Sequence, residues 1–150
     1  MEALQAKSMK KQLFMLLFFG CFGVSTEIFF VAINNLIFNT PLWDEPLWSL
    51  TGKTYVWMLP IYMLIPVVGG RMMKALKSYP LLLRLLMYAL AIFFVEFVSG
   101  FILEQITGKC PWKYTDGWNV CGYIKLEFLP AWMFFAFLIE RLYFYLDENL

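Results

Sequence analysis

Five glutamates, Glu27, Glu96, Glu104, Glu127 and Glu140, lie inside long apolar stretches of this 150-residue chain. An ionised carboxylate in hydrocarbon costs at least a few kcal/mol, so a glutamate kept there should face other helices and have a partner. That partner can be a hydrogen-bond donor, a proton or a cation. Carboxylates are also most of what the chain has for chemistry. It contains no histidine, which removes Ser-His and Cys-His nucleophilic pairs, His-held zinc or haem, and imidazole acid/base catalysis. With a net charge of +1, no basic excess exists to neutralise phosphates, so nucleic acid is not an expected partner.

The elements that must position these glutamates follow from composition and length. Hydrophobic residues make up 61% of the chain, aromatics 20% and charged residues only 15%. That exceeds the roughly 45–50% apolar share of ordinary soluble domains, and the chain is too small to hide the excess from water. A bilayer core about 30 Å thick needs about 20 mainly apolar residues in a helix. Four stretches qualify: 13–38, 55–73, 81–106 and 122–146. The expected fold is all-α integral membrane, a four-transmembrane-helix bundle forming a single membrane domain over 1–150, with short connections and a kinked second helix. The first stretch, following Lys10 and Lys11, is too long for a signal peptide's apolar region and has no small-residue cleavage site after it, so it should be retained.

Orientation follows from the Lys/Arg asymmetry. Lys7, Lys10, Lys11, Arg71, Lys74, Lys77, Arg84 and Arg141 fall on one side, and Lys53, Lys109, Lys113 and Lys125 on the other. Both termini are therefore expected in the cytoplasm. Trp43, Trp48, Trp57, Trp112 and Trp118 belong to the two outer connections, where a headgroup belt accounts for them. Which membrane holds the chain is left open.

At a rise of about 1.5 Å per residue, Glu96 lies roughly 18 Å from the cytoplasmic end, Glu27 roughly 22 Å, and Glu104 and Glu127 about 28–30 Å. Glu140 lies roughly 9 Å in, where Arg141 is a ready partner. Glu96, Ser99, Gly100, Leu103 and Glu104 share one helical face, and small Ser99 and Gly100 allow close approach of a helix or ligand. Pro60, Pro66 and Pro130 cannot donate to the carbonyls of Val56, Tyr62 and Leu126. Interrupted helices with free carbonyls and acids are how transporters build cation sites. The candidate ligand-binding set is Glu27, Glu96, Glu104 and Glu127 with Ser99 and Tyr62, beneath outer-loop residues Trp112 and Tyr114. The same glutamates can instead be protonated or bonded to Ser25, Thr26, Tyr62, Tyr88 or Gln105, and serve only to pin helix register.

Cys110 and Cys121 fall on the outer side 11 positions apart, so a disulfide closing the Trp-rich loop is geometrically allowed. Their spacing fits no metal site, and Cys21 reads as a small packing residue. Tyr114, Asp116 and Trp118 are candidates for a headgroup or sugar pocket. Lys74, Lys77 and Arg84 are candidates for anionic lipid.

Six motifs in order resemble one family. They are Gly23-x-x-x-Glu27-Ile28; Gly52-x-Thr54-x-Val56-Trp57 leading to Ile61-Tyr62; and Pro80-Leu81-Leu82-Leu83-Arg84 with Tyr88. Glu96-Phe97-x-x-Gly100-Phe101-Ile102-Leu103-x-Gln105, Cys110-Pro111-Trp112-x-Tyr114, and Gly122-x-Ile124-x-Leu126-Glu127 complete the set. Over about Gly23 to Glu140 the chain resembles the transmembrane protein 229 family, whose bacterial relatives are grouped as type IV ABC-transporter (CmpB-like) proteins. Lys113 and Cys121 depart from that pattern. The resemblance implies a four-helix membrane protein of no established activity, and the chain carries no P-loop of its own.

Three functions are compatible with these residues. One is a non-enzymatic protein whose buried glutamates bind a cation, proton or lipid headgroup within a transport or sensing assembly. A second is a subunit devoted to helix association, for which a small-residue surface such as Gly20/Gly23 should face outward. The third is a lipid-modifying enzyme using Glu27 and Glu96 as an acid/base pair. No cofactor or metal is expected. The expected partners are membrane lipids and a second copy or another membrane protein.

Overall fold

The computed structural model describes residues 2–40, 42 and 44–150, so Trp43 lies outside the described residues. Helix α1 spans Glu2–Phe38. After a 3-10 turn at Leu47–Ser49 comes α2 (Met58–Leu64), a π-helical turn at Ile65–Gly69, and α3 (Gly70–Leu76). Helix α4 covers Leu81–Thr107. A two-residue hairpin follows, β1 (Asn119–Val120) and β2 (Ile124–Lys125), then a 3-10 turn at Leu126–Phe128 and α5 (Leu129–Asn149). Four helical runs are long and apolar enough to cross a membrane: Lys7–Phe38, Met58–Leu76, Leu81–Thr107 and Leu126–Asn149.

All four runs differ from the expected spans at one boundary or more; the first starts at Lys7 rather than 13, and the third ends at Thr107 rather than 106. The fourth run starts at Leu126 rather than 122, because 119–125 forms an antiparallel hairpin with Asn119 opposite Lys125 and Val120 opposite Ile124. Its turn closes through the Tyr123 N–H to the Val120 carbonyl, 3.0 Å. Both central residues, Cys121 (φ 55°) and Gly122 (φ 75°), are left-handed, the requirement of a type I′ turn. The second run extends over 58–76 rather than 55–73. Pro60 sits in its first turn, where a missing N–H costs nothing, while Pro66 falls in the π turn and supplies the interruption expected there.

The chain divides into two compact units, 1–68 and 69–150. In the first, α1 packs on α2. Gly20 and Gly23 make this possible. A Cβ on Gly20 would stand 3.0 Å from Leu59 and Met63, and one on Gly23 would enter the Tyr62 ring, 2.6 Å from its Cδ1. The small-residue stripe that helix association with a partner would require thus faces inward, against α2. Met15, Phe19, Ala32 and Met58 are the buried apolar residues of this unit.

In the second unit α4 packs on α5, and the hairpin leans on α4. The buried residues include Ala89, Phe93, Leu103, Ala136 and Tyr143. A Cβ on Gly70 would lie 2.6 Å from the Tyr143 ring, which brings α3 against α5. In both units many large apolar side chains remain exposed, among them Phe29, Ile33, Leu82, Phe94 and Phe134. Water is a poor solvent for such a surface and hydrocarbon a good one.

Candidate functional site

Glu27 stands on α1 in the first unit. Its Oε2 accepts two hydrogen bonds, from Thr54 Oγ1 at 2.8 Å and Tyr62 Oη at 3.1 Å. The sequence builds this pair locally. Gly52 lies against the Ile28 carbonyl, where a Cβ would be 2.9 Å from the carbonyl carbon, so the segment before α2 can approach α1 closely and deliver Thr54. Gly23, one turn before Glu27, leaves the gap that the Tyr62 ring fills. Both donors are neutral, and no lysine or arginine among the described residues pairs with Glu27. In sequence Tyr62 is one of several hydroxyl or amide partners open to any of the glutamates, and the structure puts it on Glu27. Thr54 appeared in the sequence only as part of a motif, without a role.

Glu140 has a different surrounding. It is 2% exposed and accepts from Arg84 Nη2 at 3.0 Å and from Tyr88 Oη at 2.9 Å, while Arg84 Nε stands 2.9 Å from its other oxygen. Arg84 also donates to the Tyr79 carbonyl at 2.9 Å, tying the 77–80 connection to α4. The expected partner, Arg141, instead lies over the Phe137 ring at 5.1 Å. Helical phase explains the correction. Neighbours in sequence point about 100° apart on a helix, so Arg141 cannot share the buried face of Glu140. Arg84 is accordingly committed inside the protein, which removes it from the anionic-lipid set with Lys74 and Lys77. Lys74 is itself bridged to Asp147 at 2.6 Å.

The acids in and beside the 108–125 connection are also occupied. Lys113 Nζ donates to both oxygens of Glu104, at 3.0 and 2.8 Å, and the Tyr123 hydroxyl donates to the same carboxylate. The Glu104 carboxylate beside them holds the Lys113 ammonium and the Tyr123 hydroxyl above their ordinary values. Glu127 accepts the Trp118 backbone N–H at 2.7 Å and so closes the hairpin onto the start of α5. Asp116 bonds Lys125 at 2.6 Å, and that ammonium depresses its carboxyl. Asp116 and the exposed Trp118 therefore belong to the hairpin's own structure.

Glu96 is buried on α4, 8% exposed, on the same side as Gly100 and Leu103. Ser99 does not reach its carboxylate; the hydroxyl donates back to the Val95 carbonyl at 2.6 Å. Gly100 receives the outer loop: a Cβ there would be 3.1 Å from Tyr123, 3.3 Å from Cys110 Sγ and 3.4 Å from Trp112. Trp112 Nε1 donates to the Tyr123 carbonyl at 3.2 Å. Tyr114 packs edge-on against Phe128 at 5.7 Å, and its N–H bonds the Gly122 carbonyl. Trp112 and Tyr114 thus fasten the loop.

The considered disulfide is not formed; Cys110 and Cys121 are both free thiols. Cys110 points into the Gly100 gap, and burial pushes its thiol up, whereas Cys121 is exposed at the hairpin turn.

The proline-freed carbonyls are not open either. Val56 O accepts from Leu59 N at 3.1 Å, Tyr62 O from Ile65 N, and Leu126 O from Leu129 N. In each case the helix tightens to an i→i+3 bond, the usual repair at a helix start or break. Among the described residues no group of three or more His, Cys, Asp or Glu is placed to hold a metal ion.

The molecule is thus a helical chain with four potential membrane spans and carboxylates of two kinds, those with a resident cation and those without. No family model matches the chain. No solved structure matches it.

Proposed function

We propose that this is a non-enzymatic, multi-pass membrane protein with both termini in the cytoplasm. In this reading Glu27 binds a proton, a cation or a cationic lipid headgroup as part of a transport or sensing assembly. The observation that carries it is the partner set of Glu27: two hydroxyls and no cation among the described residues. Hydroxyls satisfy lone pairs but supply no counter-charge, so an ionised carboxylate in an apolar span must take one from outside. Glu104, Glu127 and Glu140 have resident donors and act as pins. The four apolar helical runs, their exposed apolar side chains and the Lys/Arg asymmetry support the membrane setting and its direction. The likeness to the transmembrane protein 229 family fits this reading and adds no activity to it. The association alternative gains no support, since Gly20 and Gly23 are covered by α2.

Infrared difference spectroscopy of the protein in lipid nanodiscs tests the site. A carboxyl band that responds to pH or to added cation in the wild type, and disappears in Glu27→Gln, is the expected result. A response identical in both proteins overturns it. Membrane-impermeant maleimide on intact cells tests direction: exposed Cys121 should label from outside, and buried Cys110 should label only after denaturation.

A further inference from the structure

The reading just given leaves three kinds of positive partner for Glu27, and the structure favours one of them. A metal cation needs several oxygens; hard divalent ions take six to eight, and even partly hydrated ones take more than one from the protein. The first unit does not supply them. Oε2 of Glu27 is already shared by Thr54 and Tyr62, so Oε1 is the oxygen of that carboxylate that accepts no hydrogen bond from the described residues. The Thr26 hydroxyl donates to the Phe22 carbonyl at 2.7 Å. The carbonyls of Val56 and Tyr62 are closed by backbone N–H groups, and that of Ile28 lies under Gly52. No second acid completes a metal-binding group among the described residues.

An organic ammonium has different needs. It requires one carboxylate oxygen, it is satisfied by aromatic faces elsewhere, and its tail can lie in hydrocarbon. The Tyr62 ring is held beside Glu27 by its own hydroxyl and by Gly23. The adjoining chain surface is apolar and exposed: Ile28 and Phe29 follow Glu27 directly, and Val56 and Trp57 follow Thr54. We infer that Glu27 Oε1 receives the ammonium group of an amphiphilic amine, an alkylamine or an amine-bearing lipid, with Tyr62 beside the headgroup and the tail along Ile28 and Phe29. This deepens the proposed function and rests on it.

The test uses the full-length protein, native mass spectrometry and dodecylamine as probe, with dodecanol and rubidium chloride as controls. Wild type should carry a dodecylamine adduct at a concentration about tenfold below that needed by Glu27→Gln, as expected when one member of a desolvated charge pair is removed. Dodecanol and rubidium should give no such difference. Helical circular dichroism and thermal unfolding of Glu27→Gln that match wild type guard against a folding defect in that variant. Equal dodecylamine binding by wild type and Glu27→Gln overturns the amine inference. If the infrared carboxyl response of Glu27 survives that result, the broader reading stands with a proton or an inorganic cation as ligand. If that response is also absent, both fall. A rubidium adduct lost in Glu27→Gln, with no dodecylamine difference, likewise overturns the amine and keeps the cation.

Discussion

Glu27 and Glu140 are both helix carboxylates in apolar runs, and each accepts a tyrosine hydroxyl: Tyr62 at 3.1 Å for one, Tyr88 at 2.9 Å for the other. Their remaining partners separate them. Glu140 has the Arg84 guanidinium on both oxygens and is almost wholly buried, while Glu27 has the Thr54 hydroxyl and is half-buried. A guanidinium cancels the charge and fixes two oxygens at once, leaving the site nothing further to bind. A threonine hydroxyl fixes one oxygen and leaves charge and second oxygen in play. Two acids of the same type, each beside a tyrosine, are thereby assigned to different work by a single neighbour.

That contrast is most easily broken at the Arg84–Glu140 pair. Arg84→Ala should cost about 3–5 kcal/mol, because it strands Glu140 buried without its cation. Thermal unfolding in detergent measures this, and Arg84→Ala with Glu140→Gln should recover part of the loss. A smaller effect, about 1–3 kcal/mol, is expected from Gly23→Ala, whose methyl group would enter the Tyr62 ring and force α1 and α2 apart. Glu27→Gln should cost less than about 1 kcal/mol, since an amide oxygen still accepts from Thr54 and Tyr62. If Glu27→Gln proves as damaging as Arg84→Ala, Glu27 is a structural pin and the distinction between the two acids is lost.

The sequence exposed the helices clearly because hydrocarbon permits little else: a run such as 81–106 must satisfy its backbone internally, and length with apolarity suffices to find it. Burial of Glu96 was similarly legible, whereas which glutamate Tyr62 would meet was not. The Arg84–Glu140 pair was not, because its members are 56 positions apart and only the packing of α4 on α5 joins them. Proximity in sequence favoured Arg141 wrongly, and helical phase alone would have argued against it. The carbonyls opposite Pro60, Pro66 and Pro130 misled in another way. A missing i→i+4 donor is visible in sequence, whereas the i→i+3 bond that replaces it is a response of the folded backbone. The 119–125 hairpin had a signal, glycine at 122 after Asn119, that the apolar run beginning there obscured.

The 119–125 hairpin supplies the gentlest test, since Asp116 beside it resembles Glu140 in having a cation but differs in being exposed. Asp116 has its carboxyl held below the ordinary value of 3.8 by Lys125. A group depressed in the folded state contributes stability above its unfolded value, and that contribution is lost as pH falls through the folded one. The Asp116–Lys125 link should therefore be intact at neutral pH and at pH 5, and be lost only below about pH 4. Solvent screening keeps such a pair weak, so the helices should not respond. Trp118, exposed beside the pair, is the natural reporter: its fluorescence should change below pH 4 while helical circular dichroism stays constant, and Asp116→Asn should abolish the change. Loss of helicity over the same pH range would mean that the exposed hairpin pair carries fold stability as the buried Arg84–Glu140 pair does, and burial would no longer be what distinguishes them.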